Sequence, residues 1–389
     1  MKTLDLAQPA SHGRRRGAWR DAIDARLDRW LTDPAMYRWT ASNPLTRWMS
    51  RRRARQVFDL MAGFIYSQVL LASVRLRILE TVAQAPRTLD ELAGECKVPA
   101  PALQRLLSSA VALRLLELRG EGRYGLGPLG APVASHPGIR AMIEHHAVLY
   151  HDLQDPVALL RDQLPQGQMA EYWPYAATES AAAPRHWQAD KVSRYSDLMS
   201  ASQPFVVDEI LATYPFGQHQ RVLDVGGGQG TFVSRLARHA PHLSLQLFDL
   251  PQVVELAEAS FRLQGLAGRA TVCGGDFLCD PLPPGADLVT LVRVAHDHTD
   301  ANVKTILRAI HAALPAGGTL LLAEPMAQPA GEAPLGDAYF HFYLLAMGSG
   351  RLRTPQELTS LMAEAGFARI TPVANPMPLQ TRILIARKS

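Results

Sequence analysis

Short apolar runs separated by helical segments fill the second half of the chain. They lie at Val222–Val225, Leu243–Phe248, Ala270–Cys273, Leu288–Val292, Thr319–Ala323 and Arg382–Ala386. Strands that read as nearly continuous apolar runs are buried on both faces, and their alternation with helices predicts a doubly wound, mainly parallel sheet, hence an α/β domain over residues 203–389. The first half reads as helical. Val57 to Glu80 is a long, mostly apolar stretch, too hydrophobic to face water all round, and is expected to be buried, including against a second subunit. Thr88 and Glu91 have the spacing of a capping box and predict a helix start. A second helix is expected from near Pro101 to about Leu115, then a short strand, a glycine-rich turn and another strand near Tyr124, which is the order of a winged helix. Residues 138–164 read as helical again. The Ala/Pro/Ser-rich stretch PYAATESAAAP, from Pro174, predicts a linker, and Thr354, Pro355 and Glu357 mark the start of the last helix. The expected divisions are an arm at 1–55, a helical winged-helix domain at 56–170, a linker with a pocket helix at 171–202, and the sheet domain.

A winged helix usually means DNA, yet the helix that would enter a groove carries Leu103, Leu106, Leu107, Ala110, Val111 and Leu113, with Gln104 and Arg105 almost its only polar readers. Base recognition needs several donors and acceptors on the exposed face, so packing or dimerisation is favoured and no nucleic acid is expected. Charge changes the picture at the other end. The arm holds 13 Lys/Arg against 5 Asp, a net +8, while the rest of the chain carries −4. Four of the six tryptophans (Trp19, Trp30, Trp39, Trp48) and the cluster Arg51, Arg52, Arg53, Arg55 lie there too. Basic residues with amphipathic aromatics suit an anionic membrane surface; a solvated helix packed on its own protein has the same composition. The most apolar stretch is interrupted by Asp59 and Gln68, and no secretory leader is legible, so a cytoplasmic protein is expected, in peripheral contact with the inner or an intracytoplasmic membrane through the arm. Cys96, Cys273 and Cys279 make neither a disulfide framework nor a metal spacing. His145, His146, His151 and Asp152 lack an i, i+4 histidine pair and read as a polar stripe, so no metal is expected.

The candidate chemistry sits behind the first strand, in VLDVGGGQGTF. Gly226, Gly228 and Gly230 let a backbone approach a ligand closely, and the helix that follows offers its N-terminal amides. The dinucleotide spacing G-x-G-x-x-G fails, because its third position is Thr231. Asp224 precedes the loop; a pyrophosphate is repelled by that carboxylate, whereas a cationic centre is attracted to it. S-adenosylmethionine, a sulfonium, fits. Asp249 ends the second strand, placed for the ribose hydroxyls, and Asp276 follows the third, placed for the adenine amino group with Phe277 packing on the ring.

In order, DVGGGQG, FDLP, GGDF, RVAHDHTD, LLAEPM and GRLRTPQEL make the chain resemble the S-adenosylmethionine-dependent O-methyltransferases that include the plant caffeate and acetylserotonin enzymes. The arm and the helix after it look most like the bacterial carotenoid hydroxyl O-methyltransferases of the hydroxyneurosporene or demethylspheroidene type. The resemblance implies a winged-helix dimerisation domain and a homodimer. It implies His296 as general base, oriented by Glu324, with Leu250 and Arg293 joining the cofactor residues and Met199, Met347 and Leu352 lining the substrate. Asp297 is expected to cap the next helix. The chain departs from the phenol-methylating pattern: His298 replaces a tryptophan, Leu352 a second glutamate beside the base, and Met347 an asparagine. Polar pocket groups turned apolar favour a hydrocarbon acceptor with few hydrogen-bonding groups, since unpaired buried polar atoms are costly. The aromatic run Tyr339, Phe340, Phe342, Tyr343 is a candidate lining of a long tunnel. A phenol has a pKa of about 10 and an aliphatic alcohol a far higher one, so proton loss is expected to accompany transfer. A soluble phenol or polyketide aromatic as acceptor, and a DNA-binding regulator on an inactive methyltransferase fold, are the alternatives. Metal-dependent catechol-type chemistry is disfavoured, as no aspartate-rich ligand set is left over at the strand ends.

Overall fold

The computed structural model describes residues 18–163, 167–169, 203–328, 335–376 and 381–389. Met199 and the PYAATESAAAP stretch lie outside them. Two compact units are present, one ending at Leu70 and one running from Leu71.

The first unit is helical: Ala18–Thr32, Pro34–Ser42 and the start of a 29-residue helix, Arg47–Arg75. Asp33 caps the second helix through its side chain, with Pro34 at the first helical position, where a missing N–H does no harm. The long helix corrects the expected span Val57 to Glu80. It begins ten residues earlier and stops at Arg75, because Arg77 takes a left-handed conformation (φ 53°) before a separate helix, Ile78–Gln84. In the single chain Leu60 is 84% exposed and Phe64 69%, with Val57, Phe58 and Met61 also open, so the described residues of the chain itself do not bury this stretch. By length and composition alone this helix is long and apolar enough to cross a membrane despite Asp59 and Gln68, as core helices of soluble proteins also can be.

In the second unit, Leu89–Cys96 starts with the capping box of Thr88 and Glu91. The next helix, Ala100–Ala112, is shorter than expected and buries Leu103, Leu107 and Ala110. Strands β1 (Leu116–Arg119) and β2 (Arg123–Leu126) pair antiparallel as the wing. Gln104, the expected groove reader, gives its amide to Ser108 and to the Tyr124 hydroxyl (3.0 Å), so it is engaged inside the module. Residues 138–164 hold two helices, Pro137–Asp152 and Pro156–Leu160, separated where Asp155 caps the second.

The sheet has seven strands in the order β5-β4-β3-β6-β7-β9-β8. Its members are β3 (Arg221–Val225), β4 (Ser244–Asp249), β5 (Ala270–Gly274), β6 (Leu288–Val292), β7 (Thr319–Glu324), β8 (Phe367–Val373) and β9 (Arg382–Lys388). Strands β3 to β7 pair parallel, whereas β9 runs antiparallel to both β7 and β8. Between them lie the helices Thr231–His239, Pro251–Leu263, Asp300–Ala313 and Pro355–Glu364. Two apolar layers cover the sheet, one built on Leu223, Val289, Leu320 and Ile306, the other on Val222, Leu245, Phe232 and Ile210. Alternate side chains of β3 thus feed opposite layers, the arrangement a doubly covered sheet requires. The chain order reverses direction between β3 and β6, so a crevice opens at their carboxyl ends, the place where ligands bind in such sheets.

Candidate active site

The loop after β3 turns through three left-handed glycines, Gly226, Gly228 and Gly230 (φ 70°, 59° and 79°), a conformation that other residues rarely adopt. It leads directly into the helix Thr231–His239. Asp224, at the end of β3, is almost wholly buried; its Oδ1 accepts from the Thr290 hydroxyl at 2.7 Å and its Oδ2 has no hydrogen-bond partner among the described residues. Burial first, and then the neighbouring Asp249 carboxylate, push Asp224 up to about 7, against the Thr290 hydrogen bond. A buried, unsatisfied carboxylate oxygen of this kind is a place for a cation. Asp249 accepts from the Gly228 and Leu250 amides (2.8 and 2.7 Å), which ties the end of β4 to the glycine loop and fixes Leu250 at the start of Pro251–Leu263. Asp276 accepts from the Leu278 amide and is half-buried, with Phe277 buried beside it and stacked edge-on against His298 at 5.4 Å. Three acids therefore stand at the ends of three adjacent strands around one glycine loop, a donor set that fits a cationic adenosine cofactor and not a pyrophosphate.

Arg293, directly after β6, also adopts a left-handed conformation (φ 56°), held by its amide donating to the Ala323 carbonyl (2.9 Å). For a residue with a Cβ this costs roughly 1–2 kcal/mol, and such strain collects at functional turns. The chain then makes a single 3₁₀ turn, Ala295–Asp297. His296 is buried, its Nδ1 2.6 Å from Glu324 Oε2 at the end of β7. The other oxygen of Glu324 accepts from the Val294 and Ala295 amides (2.8 and 2.7 Å). Burial opposes charging of His296, but the Asp297 and Glu324 carboxylates outweigh it and raise its pKa.

Asp297 does not cap the following helix; that expectation is corrected. Thr299 accepts from the Asn302 amide and caps Asp300–Ala313, because the 3₁₀ turn ends two residues too early for Asp297 to reach. The Asp297 carboxylate is instead buried, with Oδ1 3.0 Å from His296 Nε2, in ion-pair contact without hydrogen-bond alignment. Burial, opposed by His296, pushes Asp297 up to about 7. His298 is driven down to about 4 by burial and by His296.

Sequence reasoning missed the segment that holds this turn in place. Ser349 donates to the Asp297 carbonyl (3.2 Å), the Arg351 amide to the His296 carbonyl (3.0 Å), and Arg353 to the carbonyls of Ala295 and His298 (both 2.7 Å). Arg351 and Arg353 both bind Asp300, and the hydrogen bonds from Arg351 lead the causes that bring Asp300 down to about 2. Gly350 sits where a Cβ would lie 2.1 Å from the His296 carbonyl oxygen, so no side chain fits. Between the two arginines, Leu352 turns into an apolar cluster with Met347, Leu149, Met169, Tyr343 and Leu344. The aromatic run expected to line a tunnel divides: Tyr339, Phe340 and Tyr343 pack with this cluster, while Phe342 is exposed. His145 and His146 bond the hydroxyls of Tyr343 (3.1 Å) and Tyr339 (2.7 Å), and Asp152 accepts from the Gln168 and Met169 amides. Among the described residues no cluster could hold a metal ion.

Residues 150–368 match the model of the O-methyltransferase domain, and residues 58–134 that of the O-methyltransferase dimerisation domain. The chain belongs to the O-methyltransferase family. This methyltransferase is 41% identical over 327 residues to the demethylspheroidene O-methyltransferase of Cereibacter sphaeroides, covering 84% of this chain and 85% of the relative. It is 39% identical over 345 residues to the protein of that name from Rhodobacter capsulatus, covering 89% and 85%. In fold it resembles human N-acetylserotonin methyltransferase in complex with S-adenosylmethionine, with a TM-score of 0.70 at 23% identity, over 87% of this chain and 98% of that one. The methyltransferase uses S-adenosylmethionine and acts on a small molecule as a homodimer. The exposed apolar face of Arg47–Arg75 runs into the dimerisation match, which begins at residue 58.

Proposed function

We propose that the methyltransferase transfers a methyl group to the hydroxyl of an acyclic carotenoid of the demethylspheroidene type. The buried His296–Glu324 pair, at 2.6 Å beside the glycine loop, carries the catalytic part of the proposal. S-adenosylmethionine supplies an electrophilic methyl group on a sulfonium. Asp224, Gly226, Gly228, Gly230, Asp249, Leu250, Asp276, Phe277 and Arg293 are the residues to hold it. Glu324 has one oxygen on two main-chain amides and the other on His296 Nδ1, so it can only accept there. Nδ1 therefore carries the hydrogen, and Nε2 is left basic toward the acceptor's hydroxyl. Because an aliphatic alcohol is such a weak acid, its proton moves to Nε2 as the oxygen attacks, and much of the acceleration comes from alignment and exclusion of water.

The apolar cluster around Met347 and Leu352 supports that acceptor class, since it offers aliphatic and aromatic surface where a polyphenol would need hydrogen-bond partners. Two relatives near 40% identity carry demethylspheroidene in their names. Met199 is assigned to the same lining by family resemblance. The arm is proposed to act at a membrane surface: Trp30, Trp39 and Trp48 are exposed, next to Arg51, Arg52, Arg53 and Arg55. On this reading the enzyme works in the cytoplasm, peripheral on the membrane where its substrate dissolves. The four-part division at 55, 170 and 202 is proposed with it. To test the whole, purified enzyme is given methyl-labelled cofactor and demethylspheroidene in lipid vesicles. Label should enter the lipid fraction, and His296→Ala should lower kcat/KM by about 10³-fold with cofactor affinity kept. Label appearing only in water-soluble phenols rejects the carotenoid, and full activity in His296→Ala rejects the base.

A further inference from the structure

One buried carboxylate at the site has no part in the chemistry so far. Asp297 is not a helix cap, and its main chain is fixed from both sides: its amide donates to the Val294 carbonyl and its carbonyl accepts from Ser349 (both 3.2 Å). The side chain is thereby held against His296 Nε2, 3.0 Å away. With Nδ1 carrying the hydrogen it gives to Glu324, and with Asp297 in its ionised form, Nε2 and Asp297 Oδ1 are two acceptors facing each other in a buried space, and Oδ1 accepts no hydrogen bond from any described residue. Two lone pairs so placed repel unless a hydrogen comes between them. A hydroxyl group supplies one. Leu352, in the apolar cluster, offers no carboxylate for the purpose.

We propose that Asp297 is the second carboxylate of the base: its Oδ1 and His296 Nε2 together receive the acceptor's hydroxyl hydrogen, and Asp297 then neutralises the imidazolium that forms. This rests on His296 being the base. The bookkeeping of the step is simple: the hydroxyl proton ends on Nε2, the oxygen's electron pair forms the new bond to the methyl carbon, and the pair of the broken carbon–sulfur bond stays on sulfur. The positive imidazolium favours the ionised form of Asp297, against the burial that raises its pKa, so the imidazolium lies between two anions. The other ionisable groups that act on the pair are Arg293 after β6, Glu324 on β7 and His298 in the same turn. Arg353 is engaged with Asp300 and the Ala295 and His298 carbonyls.

The test is Asp297→Asn in the full-length enzyme. Its plateau kcat should fall at least about tenfold, with little change in cofactor KM. Removing one anion lowers the imidazolium's pKa, so the acid limb of kcat/KM against pH should move to lower pH, and Asp297→Glu should restore it in part. Without cofactor or substrate, the ¹³C-labelled His296 Cε1 signal, assigned by its loss in His296→Ala, should titrate above the ordinary 6.5 in the native enzyme. In Asp297→Asn it should titrate lower. An unmoved acid limb and an unmoved titration overturn the proposal, and so does a native His296 that titrates at or below 6.5. That last result overturns the proposal even if Asp297→Asn does not fold. Should His296→Ala remain fully active, it is the base assignment that fails, whatever Asp297→Asn shows.

Discussion

The ends of β6 and β7 and the N-terminal helices are built on opposite terms. Around His296 nearly every polar group is buried and matched: Glu324 makes three hydrogen bonds, Arg353 binds two carbonyls and a carboxylate, and Ser349 and Arg351 bind the turn's own backbone. Between Trp30 and Ile65, by contrast, large apolar side chains lie open to solvent on helices that also carry the arginine cluster. Exposed apolar patches of this size mark surfaces meant for something else. The first region is complete in one chain; the second is complete only against a partner or a lipid surface. Chemistry that depends on fractions of an ångström is located in the self-contained region, and association in the open one.

Three experiments sharpen or break that contrast. Arg353→Ala strikes the matched region: it removes two hydrogen bonds to buried carbonyls and leaves a cavity, so stability should fall by about 3 kcal/mol in chemical denaturation. A loss below about 1 kcal/mol would mean the turn holds itself. Replacing Arg51, Arg52, Arg53 and Arg55 with serine strikes the open region alone. Each arginine near an anionic surface contributes about 1 kcal/mol, so vesicle affinity in sedimentation should drop about a thousandfold at low salt. Turnover of detergent-dispersed substrate should stay as it was, and unaltered vesicle binding would rule out the lipid surface. The smallest effect is in the cofactor crevice. The Asp224 carboxyl titrates near 7 and is charged above that value, so calorimetric affinity for the cationic cofactor should rise about tenfold from pH 6 to pH 8. Asp224→Asn should flatten that dependence.

Much of the sheet domain was legible because its strands are short apolar runs ended by acids or glycines, and both capping boxes form as their spacing predicts. β8 was not, since Phe367–Val373 mixes apolar and polar positions and contains Pro372, as an edge strand allows. The long helix was misplaced because five arginines in Arg47–Gln56 interrupt the apolar pattern, and only the left-handed Arg77 stops it. At the site, Asp224, Asp249 and Asp276 stand next to strand ends and are visible from order, while His296 and Glu324 were legible through the family resemblance. The strap of Ser349, Arg351 and Arg353 is not, since its partners lie 52 to 58 positions away and no local period links them. Asp297 was misread because aspartates before helices are usually caps. Only the 3₁₀ turn shows that Thr299 takes that place.

Position 350 limits how this catalyst can be redesigned. A methyl group there would overlap the carbonyl of His296, so any side chain at this position would push the strap away from the imidazole's main chain. If Met347 and Leu352 line the acceptor as proposed, room for new acceptors has to be carved there, in the apolar cluster they share.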